Sequence, residues 1–101
     1  MRVFIMFDLP VETAKQRKSY RHFRKYLINE GFIQEQYSVY SKLVQNSAAA
    51  DAVSAKIRKN KPPEGVVQLF CITEKQYAKM EFIVGESKND IVATTERFIV
   101  L

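Results

Sequence analysis

The chain has 101 residues, 47% of them hydrophobic, and a formal net charge of +5. This length fits one domain and excludes two, and the apolar content excludes a disordered protein. A single cysteine and a single histidine exclude a zinc site and an internal disulfide, and no run approaches the roughly 20 apolar residues of a membrane span. We therefore expect one globular domain, residues 1–101, located in the reducing cytoplasm and without membrane contact.

Positive charge is concentrated in the first part of the chain. Residues 1–61 contain 12 Lys or Arg and five Asp or Glu, whereas residues 62–101 contain four and six. An imbalance of this kind favours a localised cationic surface and polyanionic partners, although many basic proteins bind no nucleic acid.

The first half of the chain shows strand and helix patterns in turn. The β-branched and aromatic run 3–9 predicts a strand that ends before Pro10. Residues 13–16, Thr-Ala-Lys-Gln, form a capping-box pattern, which predicts that a helix begins there and ends at Gly31. The alternation of apolar and polar residues over 32–44 predicts a strand or a bent strand pair.

The second half continues with another helix and strand. Asn46 or Ser47 is expected to cap a helix that stops at the segment 59–63, where two prolines follow a lysine-rich turn. A turn at Gly65 then leads into the strand 66–73. Within that strand the sole cysteine, Cys71, is expected to be a small core residue.

The C-terminal part carries weaker signals. A second capping-box pattern over 73–76 predicts a short helical segment that ends at Met80. The apolar groups 82–84 and 97–101 predict one or more short strands in a C-terminal tail at about 82–101.

The element order β-α-β-β-α-β predicts an α+β protein of the ferredoxin-like fold, with an antiparallel sheet and both helices on one face. The first and last long strands are apolar on both sides of the pleat, so the second sheet face also needs cover. The chain is too small to provide another layer. We therefore expect a sheet-on-sheet homodimer, in which a second copy covers this face.

The first helix has one apolar side and one basic side. At 100° per residue, Tyr20, Phe23 and Leu27 share the apolar side. The basic side forms a cationic stripe of five residues: Arg17, Lys18, Arg21, Arg24 and Lys25. No acidic residue lies between Glu12 and Glu30 to neutralise it. A solvated helix surface is one interpretation; the other, favoured because a dimer doubles the stripe, is contact with the phosphates of a nucleic-acid duplex.

Asp8 ends the first strand on the side of the pleat that Phe4 and Met6 also occupy. One interpretation is a turn or cap residue before the bend at Pro10. The other uses symmetry: if the dimer axis passes near the strand end, Asp8 from both copies supplies two carboxylates at the axis, enough to hold a hydrated Mg²⁺ ion whose other ligands are waters and phosphate oxygens. Ser38 is a candidate for positioning phosphates, although a strand hydroxyl usually bonds locally.

Two other classes of protein share this topology. A ferredoxin-like RNA-binding module without catalytic activity is the main alternative, but its signature of glycines and aromatics is absent apart from a fragment at 31–33. A small-molecule regulatory domain would leave the cationic stripe unexplained.

A series of motifs along the chain resembles a known family. The motifs are MFDLP at 6–10, RKSYRHFRKYL at 17–27, QYSVY at 36–40 and ITEKQY at 72–77. They resemble the CRISPR-associated endoribonuclease family, the smaller of the CRISPR adaptation proteins. The segments 17–27 and 73–76 are most similar to the branch that accompanies Cas-nine-type effectors.

This resemblance implies a role in spacer acquisition. It implies a homodimer placed between two dimers of the Cas integrase, where it holds duplex DNA (the prespacer) that becomes a new spacer. It also implies a Mg²⁺-dependent endonuclease activity on RNA or DNA, with Asp8 as the catalytic and metal-binding residue. The tail at 97–101 would pack across the dimer and meet the integrase.

Overall fold

The computed structural model describes residues 1–86. This part of the chain contains four strands and three helices: β1 (Arg2–Asp8), α1 (Ala14–Asn29), β2 (Ile33–Gln36), β3 (Val39–Leu43), α2 (Ser47–Lys59), β4 (Val66–Ile72) and α3 (Glu74–Ala78). The predicted element order is confirmed, and the bent strand pair is the hairpin of β2 and β3.

The four strands form one antiparallel sheet in the order β2-β3-β1-β4. The two helical connections each pass over a strand, so that β1 and β4 become neighbours although they are farthest apart in sequence. A register shift between Gln34 and Gln36 marks an irregularity in β2. The sheet order is that of the ferredoxin-like fold, and this prediction is confirmed.

Side-chain caps fix where the helices begin. The Gln16 amide donates to Thr13 Oγ1 at 3.1 Å, and the Thr13 amide donates back to Gln16 Oε1 at 2.9 Å, which completes the predicted capping box. At the start of α2 the cap is Asn46, whose Oδ1 accepts from the Ala49 amide at 2.9 Å. Gly31 follows the end of α1 with φ of +93°, a conformation that glycine adopts without strain.

The core lies between the sheet and the helices α1 and α2. Phe7 is at its centre: its ring meets Phe23 of α1 edge-on at 5.3 Å and stacks on Tyr40 of β3 at 5.7 Å. Ala50 and Ile57 of α2 belong to the same buried cluster. Both helices therefore cover one face of the sheet. Within residues 1–86, no helix combines the length and apolarity needed to cross a membrane.

The second sheet face, on the side away from α1 and α2, is partly covered. Phe4 stacks on Phe70 at 5.2 Å and meets Tyr77 of α3 at 5.9 Å, so α3 shields one end. Elsewhere on this face Leu43 and Val66 are 58% and 57% exposed. In the described part of the chain, this face thus keeps an apolar surface open.

The last third of the chain departs from the sequence-based prediction at Cys71. Cys71 is exposed, so its prediction as a core residue is wrong; β4 is the outermost strand of the sheet, where neighbours cover a side chain from one flank only. The structure assigns no strand to 82–86, and the remainder of the predicted tail, including 97–101, lies outside the described residues.

Candidate nucleic-acid interface and strand-end carboxylate

Asp8 is the last residue of β1 and is exposed. It pairs in register with Val66 of β4, and the alternation of the pleat puts its side chain on the second sheet face, as predicted. Within residues 1–86 its carboxylate accepts no hydrogen bond and forms no ion pair. Within this part of the chain the carboxylate therefore does not cap the turn that follows.

The backbone of Asp8 is held by the close approach of Gly65. Gly65 has φ of +98°, and a Cβ at this position would lie 2.7 Å from both the Asp8 carbonyl oxygen and Leu9 Cδ2. Only glycine fits such a contact without displacing its neighbours. Sequence analysis identified Gly65 as a turn residue; its contact with the strand end depends on the fold.

Ser38 lies beside the same strand end. Its carbonyl oxygen accepts a hydrogen bond from the Phe7 amide at 3.0 Å, which continues the pairing of β1 and β3 by one residue. Ser38 and Asp8 thus lie at one end of the sheet, but this register places Ser38 on the face of the pleat that Phe7 occupies and Asp8 on the other. The Ser38 residue is half-buried.

The five residues of the cationic stripe are all exposed, as predicted. In the part of the chain that the structure describes, none of them takes part in an ion pair; the two ion pairs found there join Arg2 to Glu74 and Lys56 to Glu30. The stripe therefore presents its charge to solvent along α1.

Two members of the stripe also make contacts that the sequence did not reveal. Arg17 Nη1 donates to the carbonyl oxygens of Val11 at 3.1 Å and Glu12 at 2.9 Å, and thereby fastens the loop after Asp8 to α1. Arg24 lies near the phenol of Tyr40: burial raises the pKa of Tyr40, and the Arg24 charge opposes that rise. The hydroxyl of Tyr40 has no hydrogen-bond partner of good geometry among residues 1–86.

A polar cluster on the second sheet face was not predicted at all. Glu35 Oε2 accepts from Tyr77 Oη at 2.8 Å and from Ser41 Oγ at 2.7 Å. The Arg2 guanidinium lies 3.9 Å from the centre of the Tyr77 ring and binds Glu74. Burial, followed by the neighbouring Glu35 carboxylate, raises the pKa of Tyr77 to about 12. These contacts join residues up to 72 positions apart and anchor α3 to the sheet.

The donor set at the strand end fits magnesium only in part. Within residues 1–86 no group of three or more His, Cys, Asp or Glu side chains is arranged to hold a metal. Mg²⁺ commonly binds one or two carboxylates and keeps several waters. An exposed carboxylate such as Asp8, which has no partner among residues 1–86, suits this mode of binding when a second carboxylate or a phosphate completes the site.

Fold and site together define a ferredoxin-like domain with an exposed carboxylate at a strand end and a cationic first helix. Residues 1–80 match the model of a protein family described as CRISPR associated protein Cas2. The chain therefore belongs to the Cas2 family, and the resemblance drawn from its motifs is confirmed.

Individual relatives agree with this assignment. Proteins named CRISPR-associated endoribonuclease Cas2 from Treponema denticola and Ligilactobacillus salivarius are 57% and 48% identical, each over the whole of both chains. The crystal structure of Streptococcus pyogenes Cas2 at pH 6.5 is similar with a TM-score of 0.61 and 21% identity. That similarity covers 84% of this chain and all of the other, and it supports the fold.

Proposed function

We propose that this protein is a homodimeric scaffold of CRISPR adaptation, which holds prespacer duplex DNA between two dimers of the Cas integrase. The observation that carries this proposal is the cationic stripe, five exposed charges without an ion pair within residues 1–86. Such a stripe suits the phosphate backbone of a duplex, which is bound irrespective of sequence. Membership of the branch that accompanies Cas-nine-type effectors stays a prediction.

The apolar part of the second sheet face supports the homodimer. Leu43 and Val66 are more than half exposed there, and Phe70 is 40% exposed. When the same face of a second copy covers this face, these side chains are removed from water. The apolar surface of both copies is then buried in one symmetric interface. With a two-fold axis that passes near the end of β1, the two copies of Asp8 come together, and the dimer carries two cationic stripes for the duplex.

The duplex proposal is tested by the salt dependence of binding. Arg21→Gln with Lys25→Gln removes two exposed charges of the stripe that make no hydrogen bond or ion pair within residues 1–86, whereas Arg17 and Arg24 are left intact. The slope of log affinity against log salt should fall by about 0.9 for each phosphate that the variant no longer neutralises, on duplexes of any sequence.

A matched control variant changes two lysines in α3 and at its C-terminal end. Lys75→Gln with Lys79→Gln removes the same number of charges from exposed positions outside the stripe. This variant should keep the affinity and slope of the wild type. Equal losses in both double variants would show that net charge, and not the stripe, governs binding.

A second activity, Mg²⁺-dependent cleavage of RNA or DNA, is favoured by the exposed carboxylate of Asp8, which has no hydrogen-bond or ion-pair partner within residues 1–86. In this proposal Asp8 from both copies holds the ion at the dimer axis, while Ser38 positions a phosphate. When bound, Mg²⁺ would neutralise the phosphate charge that develops during hydrolysis and lower the pKa of a water nucleophile. The chain's own contribution is the fixed backbone at Asp8, held against Gly65.

Asp8→Asn distinguishes the scaffold function from the nuclease activity. The substitution keeps the size of the side chain and removes the charge that a magnesium ion needs. Cleavage of RNA and DNA in Mg²⁺ should disappear, while dimerisation and salt-dependent duplex binding persist. Wild-type cleavage by a purified Asp8→Asn dimer would rule out the metal role. A wild-type monomer that prefers particular single strands would instead support the noncatalytic RNA-binding module.

A further inference from the structure

A pocket of about 330 Å³ lies between the first half of α1 and the segment that connects α2 to β4. One wall consists of Lys15, Lys18, Ser19 and His22, and the other includes Lys61 and Pro62. The α1 residues are spaced as i, i+3, i+4 and i+7, so they share one side of the helix. Only Lys18 belongs also to the cationic stripe.

The pocket is strongly electropositive. Its three lysines are exposed, and none of them forms an ion pair or hydrogen bond within the described residues. No carboxylate of residues 1–86 lines it. The acidic side chain next along the chain, Glu64, lines a separate small cleft and accepts a hydrogen bond from Gln16 Nε2 at 3.2 Å. Within residues 1–86 the three lysines therefore have no carboxylate as a direct partner, although the neighbouring cleft with Glu64 shares Ser19, Pro62 and Pro63 with the pocket.

The remaining lining gives the pocket an apolar surface. The apolar lining consists of the buried Phe23 of α1 and of Pro62 and Pro63 in the connecting segment. A purely inorganic anion would use the lysines and leave these surfaces without contact. A volume of about 330 Å³ is at the lower end of the range for small-molecule sites, about 300 to 1,000 Å³, and is enough for one nucleobase with its sugar.

We infer that this pocket binds a nucleoside monophosphate unit, with the phosphate on the lysines and the base between His22 and the prolines. The same chemistry is offered by a free nucleotide and by an unpaired terminal nucleotide of a nucleic acid. Stacking on aromatic side chains accepts any base, so binding should tolerate different bases. The inference does not require that duplex DNA binds the cationic stripe.

The test is titration of the full-length protein with adenosine 5′-monophosphate, followed by amide NMR shifts and by calorimetry. Shifts should concentrate at Ser19, Asn60 and Lys61, and inorganic phosphate should bind more weakly than the nucleotide. Lys15→Gln with Lys61→Gln should weaken nucleotide binding by about tenfold, the sum of two exposed charge contacts. The Lys75→Gln, Lys79→Gln variant should bind within about twofold of the wild type.

Further binding experiments distinguish a free nucleotide from the terminal nucleotide of a nucleic acid. They also distinguish binding at this pocket from binding at the cationic stripe. If the pocket takes a chain end, a duplex with single-stranded ends should bind more tightly than a blunt one, and only the pocket variant should lose that advantage. If the pocket binds a free nucleotide, adenosine 5′-monophosphate should bind, and single-stranded ends should not increase the affinity for the duplex.

The stripe variant, Arg21→Gln with Lys25→Gln, should keep nucleotide binding even where it loses the duplex. The inference is overturned if neither probe shifts the pocket amides, or if the pocket and α3 variants lose affinity equally. Failure of the wild type to bind any duplex, with nucleotide binding intact, would instead count against the proposed scaffold.

Discussion

Replacing Gly65 with alanine should destabilise the protein more than replacing Gly31, although both glycines have nearly the same backbone conformation, with φ of +98° and +93°. An L-residue in this region costs about 1 to 2 kcal/mol at either position. The two sites differ in their surroundings. At Gly31 an added Cβ lies 3.6 Å from Lys42 Cε, an ordinary contact with a flexible side chain.

At Gly65 the added Cβ would lie 2.7 Å from the Asp8 carbonyl oxygen and 3.1 Å from Leu9 Cα. These are backbone atoms of the central strand and its end, which cannot move aside freely, and overpacking of this kind adds about 1 to 3 kcal/mol. We therefore expect Gly65→Ala to lower the free energy of unfolding by about 2 to 5 kcal/mol, against about 1 to 2 for Gly31→Ala.

Urea unfolding of both variants, followed by circular dichroism, measures the difference. Because the contact in question is with Asp8, Gly65→Ala should also reduce any Mg²⁺-dependent cleavage by the folded protein, whereas Gly31→Ala should not. Equal destabilisation by the two substitutions would refute the claim that Gly65 holds the strand end by close packing.

Two further substitutions test contacts of the fold. Tyr77→Phe removes the hydrogen bond to Glu35 and should cost about 1 kcal/mol in urea unfolding. Since the pKa of Tyr77 is raised from 10.0 to about 12, the folded protein keeps the phenol proton longer than the unfolded chain, and wild-type stability should decline as pH rises from 10 towards 12. Tyr77→Phe should flatten that decline, and an unchanged decline would contradict the assignment. Thr13→Ala removes the cap of α1 and should cost about 1 kcal/mol, while Thr13→Ser should restore most of it in thermal melts.

Local signals in the sequence were sufficient to predict the elements of the fold. Thr13 and Gln16 mark the start of α1 because a capping box needs only four consecutive residues, and Gly31 marks its end for a similarly local reason. The exposure of the cationic stripe follows from the helical period, which is also local.

Contacts between residues that are far apart in sequence could not be predicted from such local signals. The polar cluster around Glu35 and Tyr77 joins residues 42 positions apart, and nothing in either neighbourhood indicates the partner. Cys71 was misplaced because an apolar run does not distinguish a central strand from an edge strand. The pocket beside α1 was not predicted because Lys61 is far from Lys15 and Lys18 in sequence. The three lysines line one pocket only because the segment after α2 packs beside α1 in the fold.

The central claim, that this member of the Cas2 family holds duplex DNA for spacer acquisition, is tested most directly by integration in vitro. The reaction contains the cognate integrase, a short duplex and an array target, with this protein absent, wild type, Asp8→Asn, or Arg21→Gln with Lys25→Gln. We predict that the wild type and Asp8→Asn stimulate insertion equally and that the stripe variant stimulates it less. Absence of stimulation by the wild type would contradict the scaffold function, and failure of a dimeric Asp8→Asn protein would place the carboxylate within the integration mechanism.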